Sequence, residues 1–137
     1  MPATTRVLGA LTAIYGTAVI VRPSVLTRPL QLSGDVAALP RSVRLLTAAM
    51  GAGDLAIGLA MLIAPAGRPL TVAVSTRIAA DVSDAVIFGA GLPTRTTKCK
   101  AVAAATAWGA ASAASLLGNR TRPSLPATTG TPTIKEI

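Results

Sequence analysis

Four long apolar runs follow one another along the chain: Val7–Val21, Ser42–Ala64, Leu70–Leu92 and Ala101–Leu117. They contain 15, 23, 23 and 17 residues. Because about 20 apolar residues in a helix cross the hydrocarbon core of a bilayer, each run predicts a transmembrane helix. The first run is the shortest, and its helix is expected to extend by a turn, to tilt little or to lie in thinned lipid.

Proline and glycine mark the ends of these runs. The segment "PAGRP" makes a short turn between the second and third runs, Pro93 stops the third, and Gly118-Asn119 stops the fourth. We therefore predict an all-α fold over residues 1–119: a four-transmembrane-helix bundle in up-down-up-down order. Its spans are expected at about 6–22, 42–64, 69–92 and 98–118.

Two further segments lie outside the runs. The connector of residues 22–40 contains three prolines, and its apolar residues from Val25 to Leu32 fall on one side at helical spacing. It is predicted to be either a short interfacial helix on the membrane surface or a plain loop. Residues 120–137 are rich in threonine and proline and have no apolar periodicity, which predicts a disordered C-terminal tail.

The composition agrees with a membrane protein. Of the residues, 51% are hydrophobic and only 13% are charged, and the mean hydropathy is +0.60. Soluble domains are about 25% charged, and a chain of 137 residues cannot bury this much apolar surface in one core. The predicted partner is the lipid bilayer, and the predicted localisation is the cell membrane, as a multi-pass protein.

The net charge of +8 comes from basic residues at the ends of the runs. At those positions they meet anionic headgroups, whereas a nucleic-acid-binding surface shows a basic stripe, so no nucleic acid partner is predicted. The predicted topology puts five basic residues on the side of the termini and seven on the side of the two longer loops. The positive-inside rule then favours cytoplasmic loops and external termini.

The sequence offers little of the usual chemistry of active sites. It has one cysteine, Cys99, and no histidine, so neither an intrachain disulfide nor a Cys/His zinc site can form. It also lacks a glycine-rich phosphate loop, a nucleophile elbow and an HExxH motif. We predict no cofactor and no metal site, and we assign no catalytic residue.

Charged residues nevertheless interrupt two of the apolar runs. Asp54 lies in the second run, and Arg77, Asp81 and Asp84 lie in the third. The short turn makes these two helices antiparallel neighbours, so residues whose numbers sum to about 135 lie at the same depth. Asp54 is then level with Asp81, and the spacing i, i+4, i+7 puts the three charges of the third helix on one face.

Two glycines share a face with Asp54, since Gly51, Asp54 and Gly58 are spaced i, i+3, i+7. Gly51 would lie level with Asp84, and Gly58 would lie level with Arg77. We therefore predict that both are helix-packing residues that leave room for the charges on the facing helix.

One arginine faces three aspartates in this cluster. An unpaired ionised aspartate near the bilayer centre costs about 2.5–3.5 kcal/mol. Either one or two of the aspartates are therefore protonated, or a cation, a water-filled cleft or a basic residue of a partner compensates. We take Asp54, Arg77, Asp81 and Asp84 as candidate ligand-binding residues. The alternative is that these polar residues only pin the helices together.

Two segments carry a family resemblance: "RLLTAAMGAGDLAIGLAML" (Arg44–Leu62) and "RIAADVSDAVIFGAG" (Arg77–Gly91). With a first helix that ends near Pro23, they resemble a family of small bacterial, actinobacterial-type four-helix membrane proteins that is distantly similar to the DoxX-like group. The resemblance covers about Leu8–Leu117 and implies a fold without an established activity. The redox role of DoxX-like relatives is not carried over, because the chain has no CxxC motif.

Three functions follow as hypotheses. The first is a small accessory or scaffold subunit, whose excess negative charge is met by a protein partner, by a homo-oligomer in the membrane or by protonation. The second is a binding or transport module for a proton, a cation or an amine-bearing lipidic ligand. The third is an intramembrane enzyme that uses an aspartate pair as acid and base, which the lack of histidine and of a nucleophile motif disfavours.

Overall fold

The structure is a computed structural model and describes residues 3–31 and 39–120. Within these residues 86% of the chain is helical and there is no strand, so the predicted all-α class is confirmed. The predicted tail of residues 120–137 lies outside the described residues, except for Arg120, which ends the last helix. The described residues form the helices α1 (Ala3–Val21), α2 (Ser24–Thr27), α3 (Arg41–Ile63), α4 (Arg68–Gly91) and α5 (Arg95–Arg120).

Three helices, not the predicted four, are long and apolar enough to cross a membrane: α1, α3 and residues 95–118 of α5. Helix α1 reaches 19 residues because it begins at Ala3, a turn before the first apolar run. Helix α4 is equally long, with 24 residues. It is not one of the three apolar helices because Arg77, Asp81 and Asp84 lie within it.

Helices α1 and α3 pack antiparallel through glycines. A Cβ added to Gly9 would lie 2.9 Å from the carbonyl oxygen of Gly58, and one added to Gly51 would lie 2.9 Å from that of Gly16. The two glycines of each helix are seven residues apart, which is about two turns, so both pairs lie on one interface. The backbones approach closely because no side chain stands between them.

Helix α5 packs antiparallel along α4. Gly109 of α5 lies against Asp81, and Gly89 of α4 lies against Val102. The residue numbers of these contacting pairs sum to 190 and 191. Residues of α4 and α5 whose numbers sum to about 190 therefore lie at the same depth.

Side chains fill the end of the molecule that holds the α3–α4 turn. Arg6 of α1 donates a hydrogen bond of 2.9 Å to the carbonyl oxygen of Ala64, just after α3, and so satisfies a group that a helix end leaves without an intrahelical partner. Beside this contact lies the apolar cluster of Met61, Leu70, Ala73 and Val74.

The interior of the described part is as polar as it is apolar. Nine of its buried residues are hydrophobic, and nine are polar or charged. Large apolar side chains such as Ile14, Ile63 and Val86 are exposed instead. Water-soluble proteins place most of their charged and polar side chains outside. Buried polar residues together with exposed large apolar side chains are consistent with an outer surface that contacts lipid.

Candidate functional site

The centre of the site is an arginine held by two carboxylates from two helices. The guanidinium of Arg77 donates through Nη1 to Asp54 of α3 and through Nη2 to Asp81 of its own helix, and its Nε lies 3.2 Å from Asp81 Oδ2. The Arg77 and Asp81 side chains are 7% and 2% exposed, and that of Asp54 is 16% exposed. The two-pronged contact with Asp81 fixes the plane of the guanidinium.

The sequence placed Asp54, Arg77 and Asp81 together, and the structure brings them together. The i, i+4 spacing sets the Arg77–Asp81 pair on one face of α4. The antiparallel α3–α4 hairpin supplies Asp54 from the facing helix. The long arginine side chain reaches about one helical turn along the helices, from Arg77 to the depth of Asp54 and Asp81.

The glycines that make room for this cluster are on α5 and α1 and not on α3: a Cβ on Gly16 of α1 would lie 3.0 Å from the Asp54 Cβ. A Cβ on Gly109 would lie 3.2 Å from the Cβ of Asp81, so this glycine lets α5 cover the carboxylate. The prediction for Gly51 and Gly58 is corrected: both are packing residues, but they face α1. A glycine allows any adjacent helix to approach closely, and the spacing of glycines along one helix does not identify which helix that is.

Asp84 lies one turn beyond Asp81 on α4, and its partners differ from those of the other aspartates. Among residues 3–31 and 39–120, Arg77 forms ion pairs with Asp54 and Asp81, and Asp84 forms none. Asp84 is half-buried and faces the same cavity as the paired carboxylates. One positive and three negative charges leave this cluster with a formal charge of −2 when all are ionised.

A cavity of about 470 Å³ lies beside the charged cluster, between all five helices. Apart from the cluster its wall is mainly apolar, and five residues of α5 contribute at helical spacing: Lys100, Ala101, Ala104, Ala105 and Trp108. The remaining wall residues are Tyr15, Val19, Val25, Leu26, Pro29, Leu30, Met50, Gly51 and Phe88.

The connector, for which the sequence predicted either an interfacial helix or a loop, forms part of this wall. It begins with the single turn α2 and continues as a turn to Gln31, beyond which residues 32–38 lie outside the described part. Gln31 adopts φ 54°, a left-handed conformation that is uncommon for residues other than glycine. Its Oε1 accepts a hydrogen bond of 2.9 Å from Thr97 Oγ1, which joins the connector to the start of α5.

Trp108 lines the cavity at about the depth of Asp81, since its neighbour Gly109 lies against that residue. Its Nε1 donates a hydrogen bond of 3.1 Å to Thr12 Oγ1 of α1. This bond joins α5 to α1 and orients the indole ring. Trp108 is the single tryptophan of the chain, so its fluorescence reports on the cavity directly.

Sequence reasoning missed Lys100 and Tyr15 as residues of the site. Lys100 belonged to a group of charges at a helix end, but it is spaced i, i+4, i+8 with Ala104 and Trp108, which puts it on their face of α5. Tyr15 is the one tyrosine of the chain and lies within an apolar run. A hydroxyl group within an apolar run was a signal that could have indicated a place beside the other polar residues of the site.

The arrangement is suited to the recognition of a charged group. Among the described residues, no three aspartate, glutamate or cysteine side chains are placed to hold a metal ion. The carboxylates of Asp54 and Asp81 are already engaged by Arg77. Asp84 offers the carboxylate that can take a further partner.

Comparison of the chain with protein-family models, with curated proteins and with solved structures found no match. The site therefore has to be interpreted from its own geometry.

Proposed function

We propose that this protein binds amphipathic ligands with a cationic amine inside the membrane. The observation that carries the proposal is Asp84, a cavity-lining carboxylate without an ion pair among the described residues. The cavity volume of about 470 Å³ lies within the range of about 300–1,000 Å³ that is usual for small-molecule sites. An ammonium group beside Asp84 would offset the excess negative charge, and the apolar wall would take its hydrocarbon chain.

The proposal includes the predicted up-down-up-down bundle of four spans, with α4 as one of them. Pairing reduces the cost of placing charges within α4, since Arg77 is shared by two carboxylates. The charged face of α4 points to the interior, and Val82, Val86 and Ile87 of the same helix are exposed and apolar. Lipid can therefore contact α4 without contacting its charges.

A scaffold role stays a prediction, as does the resemblance to the DoxX-like group. A scaffold needs an excess charge that a partner can reach from outside. Asp84 instead faces a cavity within the chain, and Asp81 is 2% exposed. This placement favours a small ligand over a protein partner as the group that meets the charge.

We take the end of the cavity that holds the exposed Lys100 as its mouth and expect it on the cytoplasmic side. Seven basic residues lie at the end where α1 ends and α5 begins, namely Arg22, Arg28, Arg41, Arg44, Arg95, Lys98 and Lys100, and such residues are retained in the cytoplasm. Cys99 is exposed at this end and is the single cysteine of the chain. A membrane-impermeant maleimide should therefore label the unmodified protein in inverted vesicles and not in intact cells.

A Cys99→Ser variant serves as the control for this labelling experiment and should take up no label on either side. Labelling of Cys99 in intact cells would place the cavity mouth outside and contradict the predicted orientation.

The proposed function predicts that octylammonium binds more tightly than octan-1-ol, which has the same chain and no charge. A charge-assisted hydrogen bond contributes about 1.5–3 kcal/mol, so the expected preference is roughly 10- to 100-fold. Asp84→Asn should remove this preference and leave octan-1-ol binding unchanged. Titration of the purified protein in detergent, followed by Trp108 fluorescence, measures both affinities.

Ser83→Ala is the matched control on the same helix, because Ser83 is exposed and its hydroxyl bonds to the Ala79 carbonyl oxygen. It should bind both ligands as the parent does. The proposal fails if the parent binds the amine and the alcohol equally, or if Asp84→Asn keeps the preference for the amine.

A further inference from the structure

The cavity has opposite charges at its two ends. Lys100 lies in the second turn of α5, near the mouth, whereas Asp54, Arg77, Asp81 and Asp84 lie deeper. Lys100 is exposed, and among the described residues it forms no ion pair. The deep end is therefore net negative and the mouth is positive.

The distance between the two ends follows from the packing of α4 on α5. Asp81 faces Gly109 and Gly89 faces Val102, so Asp84 lies level with residue 106 of α5, six residues beyond Lys100. At 1.5 Å per residue this difference in depth is about 9 Å. On α5 the cavity wall between these levels is formed by Ala101, Ala104 and Ala105, which have short side chains, and on α4 Phe88 lines the cavity at the level of residue 102.

The surroundings of the mouth add to its positive charge. Arg95 lies on the first turn of α5, and the connector that walls the cavity carries Arg28. A ligand with only a positive charge would gain nothing at this end. A ligand with a second, negative group would be favoured at the mouth as well as at Asp84.

We propose that the cavity selects zwitterionic ligands, in which an apolar chain separates a deep ammonium group from an anionic group that pairs with Lys100 at the mouth. This inference rests on the proposed function, because it assigns Asp84 to the ammonium group. It adds Lys100 as a residue that determines specificity, and the two charged residues differ in depth along the helices by about 9 Å, six residues of helix rise. The extended chain of 8-aminooctanoate has a suitable length, and 4-aminobutanoate is too short to reach both ends.

The test compares 8-aminooctanoate, 4-aminobutanoate and octylammonium by the fluorescence of Trp108. Lys100→Met should weaken 8-aminooctanoate about three- to fivefold, which is the upper range for an ion pair of an exposed side chain. It should leave octylammonium and 4-aminobutanoate unchanged, since neither places an anion at the mouth. Lys98→Met is the matched control, because Lys98 Nζ lies 3.4 Å from the Ala90 carbonyl oxygen and does not line the cavity.

The outcomes separate the two proposals. If octylammonium binds through Asp84 but Lys100→Met weakens 8-aminooctanoate no more than Lys98→Met does, the zwitterion inference is overturned and amine binding stands. If Lys100→Met weakens all three ligands equally, Lys100 acts on the cavity as a whole and the inference is likewise overturned. If octylammonium does not bind the parent with a preference over octan-1-ol, the proposed function fails, and the inference fails with it.

Discussion

Replacement of Arg77 by glutamine is expected to lower the free energy of unfolding by about 3–5 kcal/mol, the usual loss when one partner of a buried ion pair is removed. Arg77 is 6% exposed and is the group that balances Asp54 and Asp81. Without it two carboxylates face each other in an interior that offers them little water. Unfolding in mixed micelles with increasing dodecyl sulfate, followed by circular dichroism, measures the loss.

Arg68→Gln is the matched control, since Arg68 begins the same helix and is exposed. This variant should unfold close to the parent, because an exposed charge contributes about 0–1 kcal/mol. Equal stability of Arg77→Gln and Arg68→Gln would show that the buried ion pairs do not hold α3 and α4 together.

The charged cluster could be predicted because its geometry is local. Arg77 and Asp81 are one turn apart on a helix, and the short turn before α4 forces α3 to lie beside it. Those two facts place Asp54 at the depth of Asp81, within reach of the Arg77 side chain, without any knowledge of the other helices. The helices themselves follow from the lengths of the apolar runs and from the prolines and glycines that end them.

The pairing of helices that are distant in sequence could not be predicted in this way. The spacing of Gly51 and Gly58 puts them on one face with Asp54. A helix that packs against several neighbours can have a glycine at each close contact, whichever helix the neighbour is. Nothing in one sequence says that this neighbour is α1 rather than α4. The cavity escaped prediction for a related reason, because a void is defined by five helices at once and by the connector that covers it.

Gly58→Ala is expected to lower the free energy of unfolding by about 1–3 kcal/mol, which is the usual cost of overpacking. The reason is the close approach of α1 and α3 at this glycine. The added Cβ would lie 2.7 Å from the Gly9 carbonyl oxygen and 2.9 Å from the Ala13 Cα. Both neighbours are backbone atoms, so no side-chain rotation relieves the contact and the helices have to separate. The dodecyl sulfate titration described for Arg77 measures this loss.

Gly53→Ala makes the same chemical change on the same helix and is the control. A Cβ on Gly53 would meet nothing within 4 Å, and alanine favours a helix by about 1 kcal/mol over glycine. The control should therefore be as stable as the parent or more stable, while Gly58→Ala is less stable. Because Tyr15 and Val19 of α1 line the cavity, separation of α1 from α3 should also weaken octylammonium binding in Gly58→Ala but not in Gly53→Ala. If both variants gain stability, α1 and α3 do not meet at these glycines, and α1 cannot form the cavity wall described above.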